Sequence, residues 1–378
     1  MNKTTSVYLD LVRFLAAAMV LLIHANHPKF TDGWLFSLRN AGNDTVMLFF
    51  VLSGFVIAFC VDNRDKSLHS YTVSRLSRLY SVVLPALLVM VALNFLGWQL
   101  NLSFSNGTPW HYTPNAAYEF FTSLIFLNQL WFFDLPPFSN GPFWSVAYEF
   151  WFYLLFAAAF FFRGRVRQVL IAGLLLIIGP KILLLFPVWC MGYYSYQIAK
   201  RRSISPRQGL LLFGGSILLY IAFLWLQIEK TLNWYTLKVV GVDFLEISLN
   251  SSKSFVASLI VGLLASAHFI GFSALSASLE ARLKQSSWLT LGIQYLASFT
   301  FTLYLLHYPL LDFWSAFAKL DPKRGTDQAL LFALVAASVW LIGSVTERKK
   351  SYFKRALVKI MALFQKKLPL DLQQRSGH

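Results

Sequence analysis

An arginine and a histidine stand eleven positions apart in the first apolar segment, residues 8–26. Because a helix turns 100° per residue, Arg13 and His24 should lie within about 20° of one helix face, about 16 Å apart along the axis. An ionisable side chain in such a segment is costly and indicates function by default. The alternative is that Arg13 extends to the inner membrane surface and His24 lies at the outer one. Two polar groups on one face favour a polar path from Arg13 to His24.

A carboxylate lies about one turn inside a later apolar segment, which begins near Trp144 and Ser145. We expect Glu149 to lie at a depth comparable with that of His24. A carboxylate beside an imidazole orients the ring and prepares it to act as a general base. The alternative is a structural glutamate that is hydrogen-bonded to a tyrosine or a tryptophan.

Two arginines lie three residues apart, close to the start of the third apolar segment. Arg75 and Arg78 should therefore share one helix face. Paired guanidinium groups suit a ligand that carries phosphate. The alternative is that the two arginines are only part of the positive charge that inner loops collect.

Two further segments place polar or small residues at membrane depth. Ser53 and Gly54 form a small pair in the second apolar segment, which favours close helix packing. Tyr304, His307 and Pro309 lie in the ninth, where the proline should open the local backbone. A packed, hydrogen-bonded His307 and a functional His307 fit this pattern equally well.

The composition indicates a membrane protein. Of the 378 residues, 57% are hydrophobic, 17% aromatic and 13% charged, whereas soluble domains carry about 25% charged residues. The formal net charge of +16 does not indicate nucleic-acid binding, because the charges stand in short clusters between apolar segments. Cys60 and Cys190 form neither a disulfide framework nor a metal-ligand pattern.

The apolar segments predict an all-α polytopic fold with about ten transmembrane helices and both termini in the cytoplasm. A single span needs about 17–25 residues. The longer segment 168–199 is interrupted at Gly179-Pro180 and should form a hairpin of two spans, 168–180 and 182–199. Segment 118–133 is also apolar, and we interpret it as re-entrant or interfacial. The eight single segments are 8–26, 44–61, 80–98, 145–162, 208–227, 255–274, 295–316 and 328–345.

The basic residues support this topology. Most of the 33 lysines and arginines would fall in the inner loops, the N-terminus and the C-terminal tail, whereas the outer segment 99–144 contains none. A transmembrane domain should cover residues 1–346, and a basic cytoplasmic tail should follow at 347–378. Within the tail, residues 351–368 place apolar side chains at helical spacing with lysines between them, which predicts an amphipathic helix on the inner membrane surface.

Taken in order, these motifs resemble those of the acyltransferase 3 family of integral membrane acyltransferases. The family signature of an arginine, ten residues and a histidine matches Arg13 and His24, and the paired arginines match Arg75 and Arg78. Each motif alone is weak, but five in order extend over nearly the whole chain. The other matching segments are Phe49-Phe50-Val51-Leu52-Ser53-Gly54-Phe55, then Trp144-Ser145 with Glu149 and Phe152-Tyr153, and finally Tyr304 through Pro309.

The resemblance implies an enzyme of a bacterial cytoplasmic (inner) membrane. It would transfer an acyl group, usually acetyl, from cytoplasmic acyl-CoA to a hydroxyl of an extracytoplasmic saccharide or glycolipid, such as lipopolysaccharide or another cell-surface polysaccharide. No metal and no tightly bound cofactor is expected, because acetyl-CoA is a donor substrate.

The same resemblance implies roles for particular residues. Arg75 and Arg78 would bind acyl-CoA, and His24, oriented by Glu149, would be the catalytic base or an acyl carrier. Arg13 would anchor the pantetheine or stabilise an oxyanion. The other pore or substrate candidates are Ser53, Trp144, Ser145, Tyr153, Tyr304 and His307.

A proton-coupled transporter is the alternative, because intramembrane arginine, histidine and glutamate also occur in such carriers. Against it, the sequence has no inverted repeat and no pair of matching broken helices. The acceptor sugar, the acyl group, the choice between direct transfer and an acyl-histidine intermediate, and the oligomeric state stay open at this point.

Overall fold

The computed structural model describes residues 2–33, 42–104, 107, 109–111, 113–283 and 287–367. Of these residues 84% are helical and none lies in a β-strand, which confirms the all-α prediction. The α-helices are α1 (Lys3–Ala25), α2 (Pro28–Thr31), α3 (Gly42–Asn63), α4 (Leu68–Gln99), α5 (Ala116–Leu124), α6 (Trp144–Phe161), α7 (Gly164–Arg201), α8 (Pro206–Trp225), α9 (Ile228–Val240), α10 (Phe255–Leu283), α11 (Ser287–Ala297), α12 (Thr300–Phe317), α13 (Gly325–Val345) and α14 (Lys350–Lys367).

Within the described residues, eight helical segments are long and apolar enough to cross a membrane. The number is nine when α11 and α12, which meet at a bend of 50°, count as one broken span. Spans of this length and hydropathy confirm a polytopic integral membrane protein. The sequence predicts about ten spans, and the difference lies in α7.

Helix α7 is broken near its middle. Gly179 has φ 72° and ψ −178°, a conformation that favours glycine and interrupts the helix. Both ends of α7 lie near the short loop that joins α3 to α4: Lys200 Nζ is 2.6 Å from Asp62 Oδ2, and Phe161, just before α7, packs on the ring of Tyr71. The two halves therefore run in opposite directions as the expected hairpin, and counting them separately gives ten spans.

The two ends of the bundle differ in charge. We call the end that carries Arg13, Arg78 and Lys350 the basic end, and the end that carries His24 and Tyr308 the distal end. Helix α1 runs from the basic end to the distal end, and the side chain of Asn2 caps its first turn by accepting the Thr5 N–H at 2.9 Å. One helix thus carries polar groups to both ends.

Helix α3 and the second half of α7 pack backbone against backbone in the core. A Cβ atom on Gly54 would lie 2.1 Å from the carbonyl oxygen of Trp189, and one on Gly192 would lie 1.9 Å from that of Val51. Only glycine permits this approach. The close packing expected from the Ser53-Gly54 pair is confirmed, and Trp189 Nε1 also donates to Ser53 Oγ at 3.2 Å.

Segment 118–133 does not cross the bundle, as the sequence predicts. It forms the short helix α5 and then a series of turns. The fully buried Lys181 holds these turns, because its ammonium group donates to Gln129 Oε1 at 2.9 Å and to the Phe133 carbonyl oxygen at 2.7 Å. A buried ammonium group is costly without such partners, so Lys181 ties the turns to α7.

The tail forms the predicted helix, α14, which packs against α4. Phe353 and Leu357 are half-buried and Tyr352 is exposed. Residues 368–378 of the predicted tail lie outside the described residues. The position of α14 on a membrane surface stays a prediction.

Candidate active site

A cavity of about 350 Å³ lies at the basic end of the bundle. Arg13 Nη1 is 3.3 Å from Asp10 Oδ1, whereas the buried Arg13 Nε has no hydrogen-bond partner among the described residues. Four cations face two carboxylates in this cavity, so it carries excess positive charge and suits an anionic ligand. The charged residues that line it are Asp10, Arg13, Arg78, Glu347, Arg348 and Lys350.

Glu347 is engaged by the start of helix α12. Its two carboxylate oxygens accept the Phe301 N–H at 3.1 Å and the Thr302 N–H at 2.8 Å, and the second oxygen also accepts the Thr302 hydroxyl at 2.9 Å. A carboxylate is favoured there because the first N–H groups of a helix lack intrahelical partners and carry partial positive charge. The carboxylate of Glu347 therefore binds the start of α12 and compensates less of the positive charge of the nearby arginines.

The connection between α13 and α14 brings two further cations into the cavity. The guanidinium group of Arg348 lies over the rings of Tyr295 and Phe299, with distances of 5.0 and 5.5 Å to the ring centroids. Such cation–π contacts hold a planar guanidinium in place. Lys350 lines the same cavity at the first residue of α14.

The structure does not bring Arg75 and Arg78 into one site. Arg75 is buried, with Nη2 3.0 Å from Asp65 Oδ2 and 2.8 Å from Ser74 Oγ. Three steps along a helix leave two side chains about 60° apart, and the carboxylate of Asp65 in the α3–α4 loop draws Arg75 to its own side. The two arginines were expected to bind one ligand together. Instead, Arg78 lines the cavity and Arg75 belongs to a buried ion pair with Asp65.

A larger cavity, of about 940 Å³, lies at the distal end. His24 lines it together with Trp144, Tyr304 and Tyr308. The His24 ring stands edge-on to the ring of Tyr308, with centroids 5.4 Å apart and planes at 82°. The histidine of the first helix therefore faces a cavity, as a polar path from Arg13 requires.

A second histidine lies directly behind His24. His307 is fully buried, and its ring centroid is 5.1 Å from that of His24. His307 Nδ1 lies 2.7 Å from the Tyr304 carbonyl oxygen and 3.2 Å from that of Leu303. Because carbonyls only accept, Nδ1 must carry the proton, which leaves Nε2 as an acceptor. His307 Nε2 is buried and has no hydrogen-bond partner in the described part of the chain.

Pro309 has the effect on the backbone that the sequence predicts. A proline inside a helix frees the carbonyl oxygen four residues earlier, here that of Leu305. The side-chain amide of Asn140 donates to this oxygen at 2.8 Å. The freed carbonyl thus anchors the segment before α6 to helix α12, near His307.

The structure does not place Glu149 beside His24. The carboxylate of Glu149 accepts a hydrogen bond from Ser53 Oγ at 2.7 Å and another from the hydroxyl of Tyr153. It lies within electrostatic range of Arg13 and of Tyr304. The structure therefore corrects the expectation that Glu149 orients His24. Glu149 is instead hydrogen-bonded to a tyrosine, which is the alternative given above, and the imidazole ring next to His24 is that of His307.

Two more candidates, Ser145 and Tyr304, are hydrogen-bonded to each other. Ser145 Oγ and the Tyr304 hydroxyl are 2.5 Å apart, and the ring of Tyr304 lies 6.2 Å from that of His307. Trp144 lines the distal cavity with its ring edge-on to Tyr148. Polar side chains thus continue from Ser145 through Tyr304 to the two histidines.

Several residues of these cavities were not singled out from the sequence. Arg348 and Lys350 follow the last apolar segment, where the sequence indicates only the positive charge of an inner membrane surface. Tyr308 stands next to His307 in the sequence and was grouped with it. Lys29 and Asp312, which line a separate small cavity at the distal end, lie 283 positions apart, and no local pattern links them, although their side chains are 2.5 Å apart.

A family model described as an acyltransferase domain, Acyl_transf_3, matches residues 6–347. This range includes Arg13, His24, Arg78, Glu149 and His307, and it ends one residue before Arg348. No curated protein and no solved structure matches the chain.

Proposed function

The chain belongs to the acyltransferase 3 family of membrane acyltransferases, and on that premise we propose that it transfers an acetyl group from acetyl-CoA to a hydroxyl of a saccharide. The donor binds in the cavity at the basic end, and the acceptor binds in the distal cavity. The excess of basic residues in the loops of the basic end supports a cytoplasmic location for that end, and we take the membrane to be the cytoplasmic membrane of a bacterium. The acceptor is then a glycan or glycolipid outside the cytoplasmic membrane.

One observation carries this proposal: two separate cavities lie along helix α1, one near its middle and one at its C-terminal end, and each is lined by one member of the Arg13–His24 pair. The two residues are about 16 Å apart along the helix axis. A donor with a charged nucleotide head and a long, narrow arm that ends in a thioester suits this arrangement. Its head stays at one end while the reactive group extends towards the other.

The charges of the basic-end cavity favour a donor that carries several phosphates. Arg78, Arg348 and Lys350 are placed to bind the phosphate groups of acetyl-CoA, because guanidinium and ammonium groups form charge-assisted hydrogen bonds with phosphate oxygens. Arg13, whose Nε has no hydrogen-bond partner among the described residues, is placed to donate to the pantetheine amides or to the thioester oxygen.

The reaction itself needs a base. The acceptor hydroxyl oxygen attacks the thioester carbonyl carbon, a C–O bond forms, the C–S bond breaks, and the CoA thiolate leaves. His24 takes the hydroxyl proton and passes it to the thiolate, so that atoms and charge balance. The buried ring of His307 packs 5.1 Å from the His24 ring, centroid to centroid, and limits its orientation. An acyl-histidine route uses the same His24 nitrogen as the attacking atom.

Purified protein in lipid vesicles, incubated with radiolabelled acetyl-CoA and a de-O-acetylated bacterial surface glycan, tests this function. We expect label in an ester on the glycan and release of free CoA. Proton-coupled uptake of a solute without any acetylated product would support the transporter instead. Release of CoA with label in neither glycan nor protein would contradict transfer to a saccharide.

A further inference from the structure

A second cavity, of about 320 Å³, lies at the distal end beside the one that His24 lines. The two cavities share His27, Ser139 and Tyr308 as a common wall, but His24 lines only the larger one. A ligand in the smaller cavity therefore lies next to the reacting hydroxyl without presenting that hydroxyl itself.

The charges in the smaller cavity are balanced. Lys29 Nζ is 2.5 Å from Asp312 Oδ1, and both side chains are largely buried, at 18% and 15% exposed. The same ammonium group lies 4.9 Å from the centroid of the Phe104 ring and 5.1 Å from that of Tyr308. An ion pair held among aromatic rings provides both donors and acceptors without net charge, so the cavity selects neither an anion nor a cation.

Trp110 is held in one position on the wall of this cavity. Its ring lies against Gly97 of helix α4, where a Cβ atom would come within 2.3 Å of the indole. The ring of Phe104 stacks on it, with centroids 6.1 Å apart, and that of Phe313 stands edge-on at 6.3 Å. The indole Nε1 is buried and has no hydrogen-bond partner among the described residues. An unpaired buried donor is costly, and a bound ligand with a hydroxyl acceptor would satisfy it.

From these features we infer that the smaller cavity binds a neutral sugar residue adjacent to the one that is acylated. Trp110 Nε1 and Lys29 are donors for ring hydroxyls, and Asp312 is an acceptor. The aromatic rings provide apolar surface for the C–H faces of a sugar. Because the two cavities are neighbours that share Tyr308 as a lining residue, an acceptor that fills both extends over at least two sugar residues, and a monosaccharide fills only part of the site. This inference rests on the proposed function.

Acceptor length tests the inference directly. The probes are the de-O-acetylated surface glycan of the source cell, an oligosaccharide repeat unit released from it, and the constituent monosaccharides. We expect kcat/KM for the repeat unit to exceed that for every monosaccharide by about tenfold or more, because each additional hydrogen-bonded contact is worth a factor of about two to ten. Equal kcat/KM for a monosaccharide and the repeat unit would overturn the sugar subsite but leave the acyltransferase intact. No acetylation of any acceptor would contradict the proposed function itself.

A pair of matched variants locates the effect. Trp110→Phe removes only the indole N–H and part of the ring, and should raise KM for the repeat unit about fivefold while leaving the KM for acetyl-CoA and the activity on monosaccharides unchanged. Trp98→Phe is the control, because Trp98 lies on the same end of α4 but lines neither distal cavity. An equal rise of KM in both variants, or none in Trp110→Phe, would overturn the assignment of Trp110.

Discussion

The imidazole rings of His24 and His307 lie 5.1 Å apart, centroid to centroid, with their planes at 39°. His307 is held by two backbone carbonyls of its own helix and directs its remaining nitrogen away from them. Because the buried ring of His307 is fixed and packs against His24, it can hold the His24 ring in the position that a general base needs. This relationship replaces the Glu149–His24 pair that the sequence predicts.

His307 should act on turnover rather than on donor binding. His307→Asn retains a side-chain donor near the position of Nδ1 but has no atom at the position of Nε2. We expect kcat to fall by up to about 10²-fold, since misplacement of a catalytic group has effects on this scale, while the KM for acetyl-CoA stays unchanged. His268→Asn changes a half-buried histidine that lines none of the three cavities described above, and it should leave kcat of the folded protein unchanged. A rise in donor KM without loss of kcat would argue against a positioning role.

Arg78 and Arg348 should bind the donor. Substituting either with Ala should raise the KM for acetyl-CoA about tenfold or more, because a hydrogen bond to a charged group is worth about 1.5–3 kcal/mol. Lys at the same position should restore binding only in part, since it lacks the planar fork. Arg355→Ala in α14 is the control, because Arg355 packs on Tyr352 and does not line the cavity. Titration calorimetry with CoA measures the same change without turnover, and unaltered CoA affinity in both cavity variants would contradict this donor site.

Arg75 should matter for stability instead. Its guanidinium and the Asp65 carboxylate are both largely buried, and removal of one partner from a buried pair costs about 3–5 kcal/mol. Arg75→Ala should therefore lower the melting temperature in detergent, whereas the KM for acetyl-CoA should change little. Removing both partners in Asp65→Ala/Arg75→Ala should recover part of the loss. A stable Arg75→Ala protein with impaired CoA binding would restore the sequence-based pairing of Arg75 with Arg78.

The orientation of the bundle is open to chemical labelling. In a protein whose Cys60 and Cys190 are replaced by Ala, a cysteine at Asn115 near the distal end should react with an impermeant maleimide added to intact cells. A cysteine at Ser203, which follows α7 at the basic end, should react only after the membrane is permeabilised. Both positions are exposed in the structure. The reverse labelling pattern would place the donor cavity outside the cell and exclude cytoplasmic acetyl-CoA as its ligand.

Much of the fold follows from the sequence because lipid imposes simple rules. Apolar length predicts the spans, the Gly179-Pro180 break predicts the α7 hairpin, and the positive-inside rule separates a crossing segment from the re-entrant 118–133. The bend between α11 and α12 was not predicted. At this bend the carboxylate of Glu347 binds the start of α12 from 45 or more positions away, and hydropathy carries no signal for such a contact.

The sequence predicts only part of the site. The periodicity of one helix correctly places Arg13 and His24 at opposite ends of a shared face, because both belong to α1. Pairs between helices depend on rotation and depth, which the sequence does not specify. Glu149 therefore was expected near His24 but binds Ser53 and Tyr153. His307, whose packed and functional interpretations were left open, is the imidazole that neighbours His24.

The most direct test of the proposed function is acetyl transfer by a well-expressed His24→Gln protein. Gln retains a hydrogen-bonding side chain but cannot take up a proton at neutral pH. We predict that transfer from acetyl-CoA to the glycan falls by about 10²–10⁴-fold, the contribution of a positioned base, while CoA binding measured by calorimetry is unchanged. His24→Ala should behave in the same way. A folded His24→Gln protein that acetylates the glycan at a near-normal rate would contradict the central role of His24.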